Sequence, residues 1–116
     1  MNVVAGVLVG LVAALHLYFL ALEMFLWTTP TGRRVFGLDA DFAERSKSLA
    51  ANQGLYNGFL VAGLVWGLVS GRTDVRVFFL VCVVVAGVFG AATVNKRILV
   101  VQAVPALLAL GAVALS

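Results

Sequence analysis

Leu15-His16-Leu17-Tyr18-Phe19-Leu20-Ala21-Leu22-Glu23-Met24-Phe25-Leu26-Trp27 closes an apolar run that begins at Val3. A helix needs about 20 residues to cross the ~30 Å hydrocarbon core of a bilayer, so this run is long enough to span, with Glu23 and His16 inside it. An ionisable group within a span is costly and marks a functional site by default. One stretch thus sets the expected fold, a helix in lipid, and gives the first lead on function.

The composition agrees. The 116 residues are 63% hydrophobic and 11% charged, with a mean hydropathy of +1.11. A soluble domain this small leaves too much of its chain in water to hide that apolar surface. The net charge of +3 comes from few charges in total, with no basic patch of the kind that grips nucleic acid. Cys82 is the single cysteine and lies in an apolar run. It offers neither a disulfide framework nor metal-ligand spacing, and no metal or cofactor is expected. Met1-Asn2 carries no basic n-region, and His16, Glu23 and Trp27 stand where a signal peptide needs small residues. The first segment reads as a retained helix.

Charge clusters divide the chain into four apolar segments, predicted as helices over about 3–27, 41–69, 75–94 and 98–115. Ser70-Gly71-Arg72-Thr73-Asp74 and Asn95-Lys96-Arg97 are the short turns. Connections this tight make antiparallel neighbours, so the expected fold is all-α. It is a single four-transmembrane-helix up-down bundle over 1–116. Thr28-Thr29-Pro30-Thr31-Gly32 should stop the first helix, because proline disfavours helix before it and glycine after. Asp41-Phe42-Ala43-Glu44 reads as a capping box that starts the second helix outside the membrane. Val35, Phe36 and Leu38 should dip into the interface.

Lys and Arg set the orientation. The first and third connections carry Arg33, Arg34, Arg45, Lys47, Lys96 and Arg97, six in all; the opposite side carries Arg72 and Arg76. The chain should therefore sit in the inner (plasma) membrane with both termini away from the cytoplasm. Trp27 and Trp66 fit opposite interfacial belts.

Positions seven apart return to nearly the same helix face, so His16, Leu20, Glu23 and Trp27 make one stripe. Tyr18 points the other way, toward lipid or a partner. The second helix opens on Asn52-Gln53-Gly54-Leu55-Tyr56-Asn57, the third ends on Asn95-Lys96, and Gln102 lies early in the fourth. All these ends fall in the cytoplasmic half under that topology. The expected site is a cytoplasm-facing polar pocket of His16, Glu23, Asn52, Gln53, Tyr56, Asn57, Asn95, Lys96 and Gln102. Plainer roles compete for each residue. Glu23 can pair with Lys96 or Arg97 and lock two helices. The amides can be interhelical glue at about 0.6 kcal/mol per bond, and His16 can be a hydrogen-bonded packing residue. The crowding of so many polar groups into one half favours a site.

Gly6 and Gly10, Gly54 and Gly58, and Gly63, Gly67 and Gly71 recur at intervals of four. That spacing lets helix backbones approach closely, inside the bundle or in a homo-oligomer. Membrane lipids are the other expected partner.

His-Leu-Tyr-Phe-Leu-Ala-Leu-Glu-Met-Phe-Leu-Trp-Thr-Thr-Pro from His16, Ala-Asn-Gln-Gly-Leu-Tyr-Asn-Gly-Phe-Leu from Ala51, and Thr-Val-Asn-Lys from Thr93 together resemble a known family. It is the small integral membrane proteins catalogued as domain of unknown function thirteen hundred and four. The resemblance covers essentially the whole chain. It implies a four-helix membrane protein, mostly bacterial, with no established activity.

Three classes of function remain. The leading expectation is binding or transport of a small solute or ion, with Glu23 and His16 placed to exchange protons. A structural or partner-binding bundle is the second, the polar groups then specifying helix pairing. An intramembrane enzyme on a lipid-like substrate, with His16 and Glu23 as acid and base, is the third. It loses ground because no nucleophile or metal set is visible.

Overall fold

The computed structural model describes residues 2–116, which form helices joined by short turns, with no strand among the described residues. The helices are α1 (Val3–Met24), α2 (Pro30–Phe36), α3 (Ala40–Ser70), α4 (Thr73–Thr93) and α5 (Val104–Leu115), with a π-helical segment at Leu99–Ala103 before α5. They fall into two compact units, Leu15–Val61 and Met1–Ala14 with Ala62–Ser116.

Among the described residues two helices, α1 and α4, are long and apolar enough to cross a membrane. Their 22 and 21 residues reach about 33 and 31 Å at 1.5 Å per residue. Of the four spans expected from the sequence, these two stand out by length and hydropathy. Asn52, Gln53 and Asn57 interrupt the apolar run of α3, and Leu99–Leu115 is a shorter apolar stretch.

In the unit Leu15–Val61, the first helix stops as expected, and a short helix follows where the sequence reading placed only a connection. The end of α1 loosens where both Phe25 and Leu26 amides donate to the Ala21 carbonyl. Thr29 then takes an extended conformation and its hydroxyl accepts from the Gly32 amide at 3.2 Å. Pro30, rather than ending structure, opens α2, where its missing N–H costs nothing and its fixed φ suits the first turn. Gly32 is helical and buried, and a Cβ there would strike the Leu26 carbonyl. The short helix is thereby seated on the end of α1. Gly37 closes it at φ 68°, donating to the Arg33 carbonyl. Trp27 and Phe36 pack with their rings tilted and centroids 4.8 Å apart.

The expected cap at Asp41 is also corrected. Asp39 Oδ1 accepts from the Phe42 amide at 2.7 Å, so the helix begins one residue earlier, at Ala40. Asp41 lies within the first turn and pairs with Arg45 at 2.9 Å.

In the other unit, Asn2 Oδ1 caps α1 by accepting from the Ala5 amide at 2.8 Å. α4 packs along the π segment and α5 through small residues. Cβ atoms on Gly87 and Gly90 would come within 2.9 Å of the Ala103 amide nitrogen and 3.1 Å of Ile98 Cγ2. The π segment has a local cause in Pro105. Proline has no N–H to give, and its ring would crowd the carbonyl four residues back. The turn widens, with the Val104 amide reaching the Leu99 carbonyl, five residues earlier.

Candidate functional site

The centre of the candidate site is one hydrogen bond. The Asn57 side-chain amide donates to Glu23 Oε1 at 2.5 Å, tying α3 to α1 within the unit Leu15–Val61. Glycine makes the approach possible. A Cβ on Gly54 would meet Met24 Cγ at 2.5 Å and Glu23 Cβ at 3.2 Å, and one on Gly58 would meet Leu20 Cδ1 at 3.1 Å. Gly54, Asn57 and Gly58 are three and four residues apart, so they share a helix face. That face lies against the Leu20–Met24 turn.

Asn57 is buried and Glu23 half-buried. An amide donating to a carboxylate makes a charge-assisted bond, stronger than one between neutral groups. It supplies a dipole and no countercharge. The ion pairs among the described residues of this unit are Arg45–Asp41 and Lys47–Glu44, both exposed, and Glu23 is in neither.

The remaining expected site residues divide. His16, fully buried, lies two turns back along α1 from Glu23 and meets Phe19 edge-on at 5.4 Å. Asn52, Gln53 and Tyr56 are exposed, and Tyr56 meets the Phe59 ring edge-on at 5.8 Å. They do not turn in beside Asn57. Asn95, Lys96 and Gln102 belong to the other unit. There Asn95 Oδ1 accepts from the Arg97 amide at 2.9 Å, Lys96 is exposed, and Gln102 Nε2 donates to the Val83 carbonyl at 3.4 Å. Gln102 thus braces the widened turn against α4.

Ser46 joins the site as a residue outside the expected set. Trp27, expected within the first helix, lies in the turn beyond Met24, and its Nε1 donates to Ser46 Oγ at 3.0 Å, tying that turn to α3. The signal was Trp27 itself, since an indole N–H that is not fully exposed needs an acceptor. Nothing in the sequence pattern pointed to Ser46 as that acceptor.

A family model described as protein of unknown function, DUF1304, matches residues 10–114. Over 114 residues the chain is 32% identical to an uncharacterized protein, YpaA, of Lactococcus lactis subsp. lactis (strain IL1403). The match covers 95% of this chain and 96% of that protein. No solved structure matches.

Proposed function

The chain belongs to the DUF1304 family, and we propose that it is a small multi-pass membrane protein that binds and passes a small solute or ion at a site built on Glu23. The bilayer placement is supported by the surface of the helices. In both α1 and α4 only 28% of the most apolar window is buried, whereas the core helix of a soluble protein is mostly covered. Val7, Leu11, Leu17, Phe78, Val85 and Phe89 all stand at least half exposed. Lipid is the solvent that suits such faces. On this reading α3 and the Leu99–Leu115 stretch complete four spans, and the excess of Lys and Arg puts the first and third connections in the cytoplasm.

The observation that carries the function is the Glu23–Asn57 hydrogen bond without an ion pair to Glu23 in its unit. A structural pin needs a donor and an acceptor, and a neutral amide pair would serve at lower desolvation cost. A carboxylate held by an amide keeps its charge available to a small cation, a proton or the donor group of a solute. Asn57 then orients the ligand-binding oxygen, and the tight Gly54–Gly58 contact holds the pair in register.

A second reading has its own support. Gly54 and Gly58 pack closely on α1, and an amide bond at such a contact is what interhelical pairing also requires. Flux in liposomes separates the two readings. The purified chain is reconstituted with a pH-sensitive dye inside, and proton-coupled movement is followed for wild type and Glu23→Gln. The site reading predicts that Glu23→Gln, which preserves shape and an acceptor oxygen, abolishes coupling. Unchanged coupled flux would leave Glu23 as a pairing residue only.

A further inference from the structure

A second feature lies at the α3–α4 turn, wholly within the unit that contains Ala62–Ser116. Trp66, Asp74, Val75, Phe78 and Phe79 line a groove of about 430 Å³. Asp74 is its one polar wall. Trp66 and Phe78 are 51% and 62% exposed. The Arg72 guanidinium carbon lies 5.6 Å from the Trp66 ring centroid. Arg72 holds Asp74 with two nitrogens, Nε at 3.2 Å and Nη2 at 2.7 Å. Gly71, at φ 72°, makes the turn, so only Gly71 and Arg72 separate the two helices. The short turn holds a cation, an anion and an apolar trough side by side.

We propose that this groove binds a zwitterionic phospholipid bearing a primary amine. One acyl chain lies along Trp66, Phe78 and Phe79 over the buried Val75, with the phosphate on Arg72 and the ammonium on Asp74. The argument is charge complementarity. An anionic lipid would set its net charge against Asp74, and a cationic amphiphile would set its own against Arg72. A zwitterion satisfies both. Exchanging partners costs little, because an exposed ion pair contributes little by itself. Arginine has five N–H donors, and two are engaged by Asp74, which leaves three for phosphate. Ethanolamine is favoured over choline for a specific reason. A primary ammonium can donate to the Asp74 carboxylate, while a quaternary one cannot. The Trp66 face, the alternative partner for a quaternary cation, is already occupied by Arg72. Trp66 also suits the headgroup level, where indoles concentrate.

The proposal rests on the bilayer placement above and is independent of the Glu23 site. The test uses the full chain in dodecyl maltoside, with dioleoyl phosphatidylethanolamine, phosphatidylcholine or phosphatidylglycerol added at equal mole fraction. Lipid retention is read by native mass spectrometry. Phosphatidylethanolamine should bind about tenfold more tightly than the other two, the worth of a charge-assisted hydrogen bond. Asp74→Asn should bring it down to the phosphatidylcholine level, Arg72→Gln should weaken all three, and Phe78→Ala should weaken all three through the chain contact. All three positions are exposed, so the variants fold. Equal retention of the three lipids, a preference for phosphatidylglycerol, or an ethanolamine preference that survives Asp74→Asn would overturn the proposal. So would full competition by glycerophosphoethanolamine, which lacks the chains, or stability that rises with protein concentration and not with lipid, the mark of a second copy covering the groove. Partition into a detergent phase checks the bilayer placement separately. A chain that partitions there without an ethanolamine preference removes the lipid site alone, and one that stays in water overturns both.

Discussion

Asn57 Nδ2 and Glu23 Oε1 lie 2.5 Å apart, across a contact where Gly54 and Gly58 bring α3 against the last turns of α1. The relationship joins an ionisable residue, in a helix long and apolar enough to cross a membrane, to a neutral partner. It also makes the two side chains unequal. Glu23 can lose its charge and keep the bond, whereas Asn57 cannot lose its amide without stranding a carboxylate.

That asymmetry gives the first prediction. Asn57→Leu should destabilise the chain by about 1–3 kcal/mol, the cost of leaving a half-buried acceptor unsatisfied. Glu23→Gln should change stability much less, since a glutamine oxygen still accepts from Asn57. Denaturant unfolding of both variants in the same detergent checks the ordering.

The glycines should sort by what a methyl would meet. Gly54→Ala places a Cβ against Met24 and Glu23, and overpacking of that kind costs about 1–3 kcal/mol. At Gly10 a Cβ meets nothing within 4 Å. Gly10→Ala should therefore stabilise α1 by up to about 1 kcal/mol, the difference in helix propensity. Melting of the two variants should move in opposite directions.

Cap and pair at the start of α3 are likewise separable. Asp39→Ala removes the side chain that accepts from the Phe42 amide and should cost about 1 kcal/mol. Asp41→Ala breaks only the exposed pair with Arg45 and should have a smaller effect. Hydrogen exchange at the Phe42 amide should rise in the first variant and stay unchanged in the second.

Trp27→Phe keeps the ring contact with Phe36 but loses the donor to Ser46. A double-mutant cycle with Ser46→Ala should give a coupling of about 0.5–1.5 kcal/mol. A coupling near zero would mean that the two side chains act independently.

Much of this was legible in the sequence because the decisive signals are long or chemically costly. The apolar runs gave all-α structure with the main helices in roughly their observed places, and Glu23 stood out as a charge among leucines. The spacing of Gly54 and Gly58 marked a close helix approach. Short-range choices were harder to read. Asp39 and Asp41 are both good caps with helix-compatible residues after them, and which one caps depends on where the chain arrives from α2. Pro30 breaks one helix and begins another by the same fixed φ, so the residue alone does not reveal α2. The π segment before Pro105 required knowing that the chain stays helical on both sides of the proline. The nine-residue polar pocket follows from the face of the first helix and from the shared depth of the other helix ends. Depth does not give azimuth, and Asn52, Gln53 and Tyr56 turn outward while Asn57 turns in.

The central claim is that Glu23 is a ligand and more than a helix pin. Its most direct test is a cation titration of unfolding stability in detergent, wild type beside Glu23→Gln, with sodium, potassium and guanidinium as probes. A ligand bound only by the folded chain adds about 2.7 kcal/mol at a hundred times its Kd. The account predicts that at least one probe stabilises wild type in a saturable manner and leaves Glu23→Gln unaffected. A titration in which no probe distinguishes the two chains would contradict it.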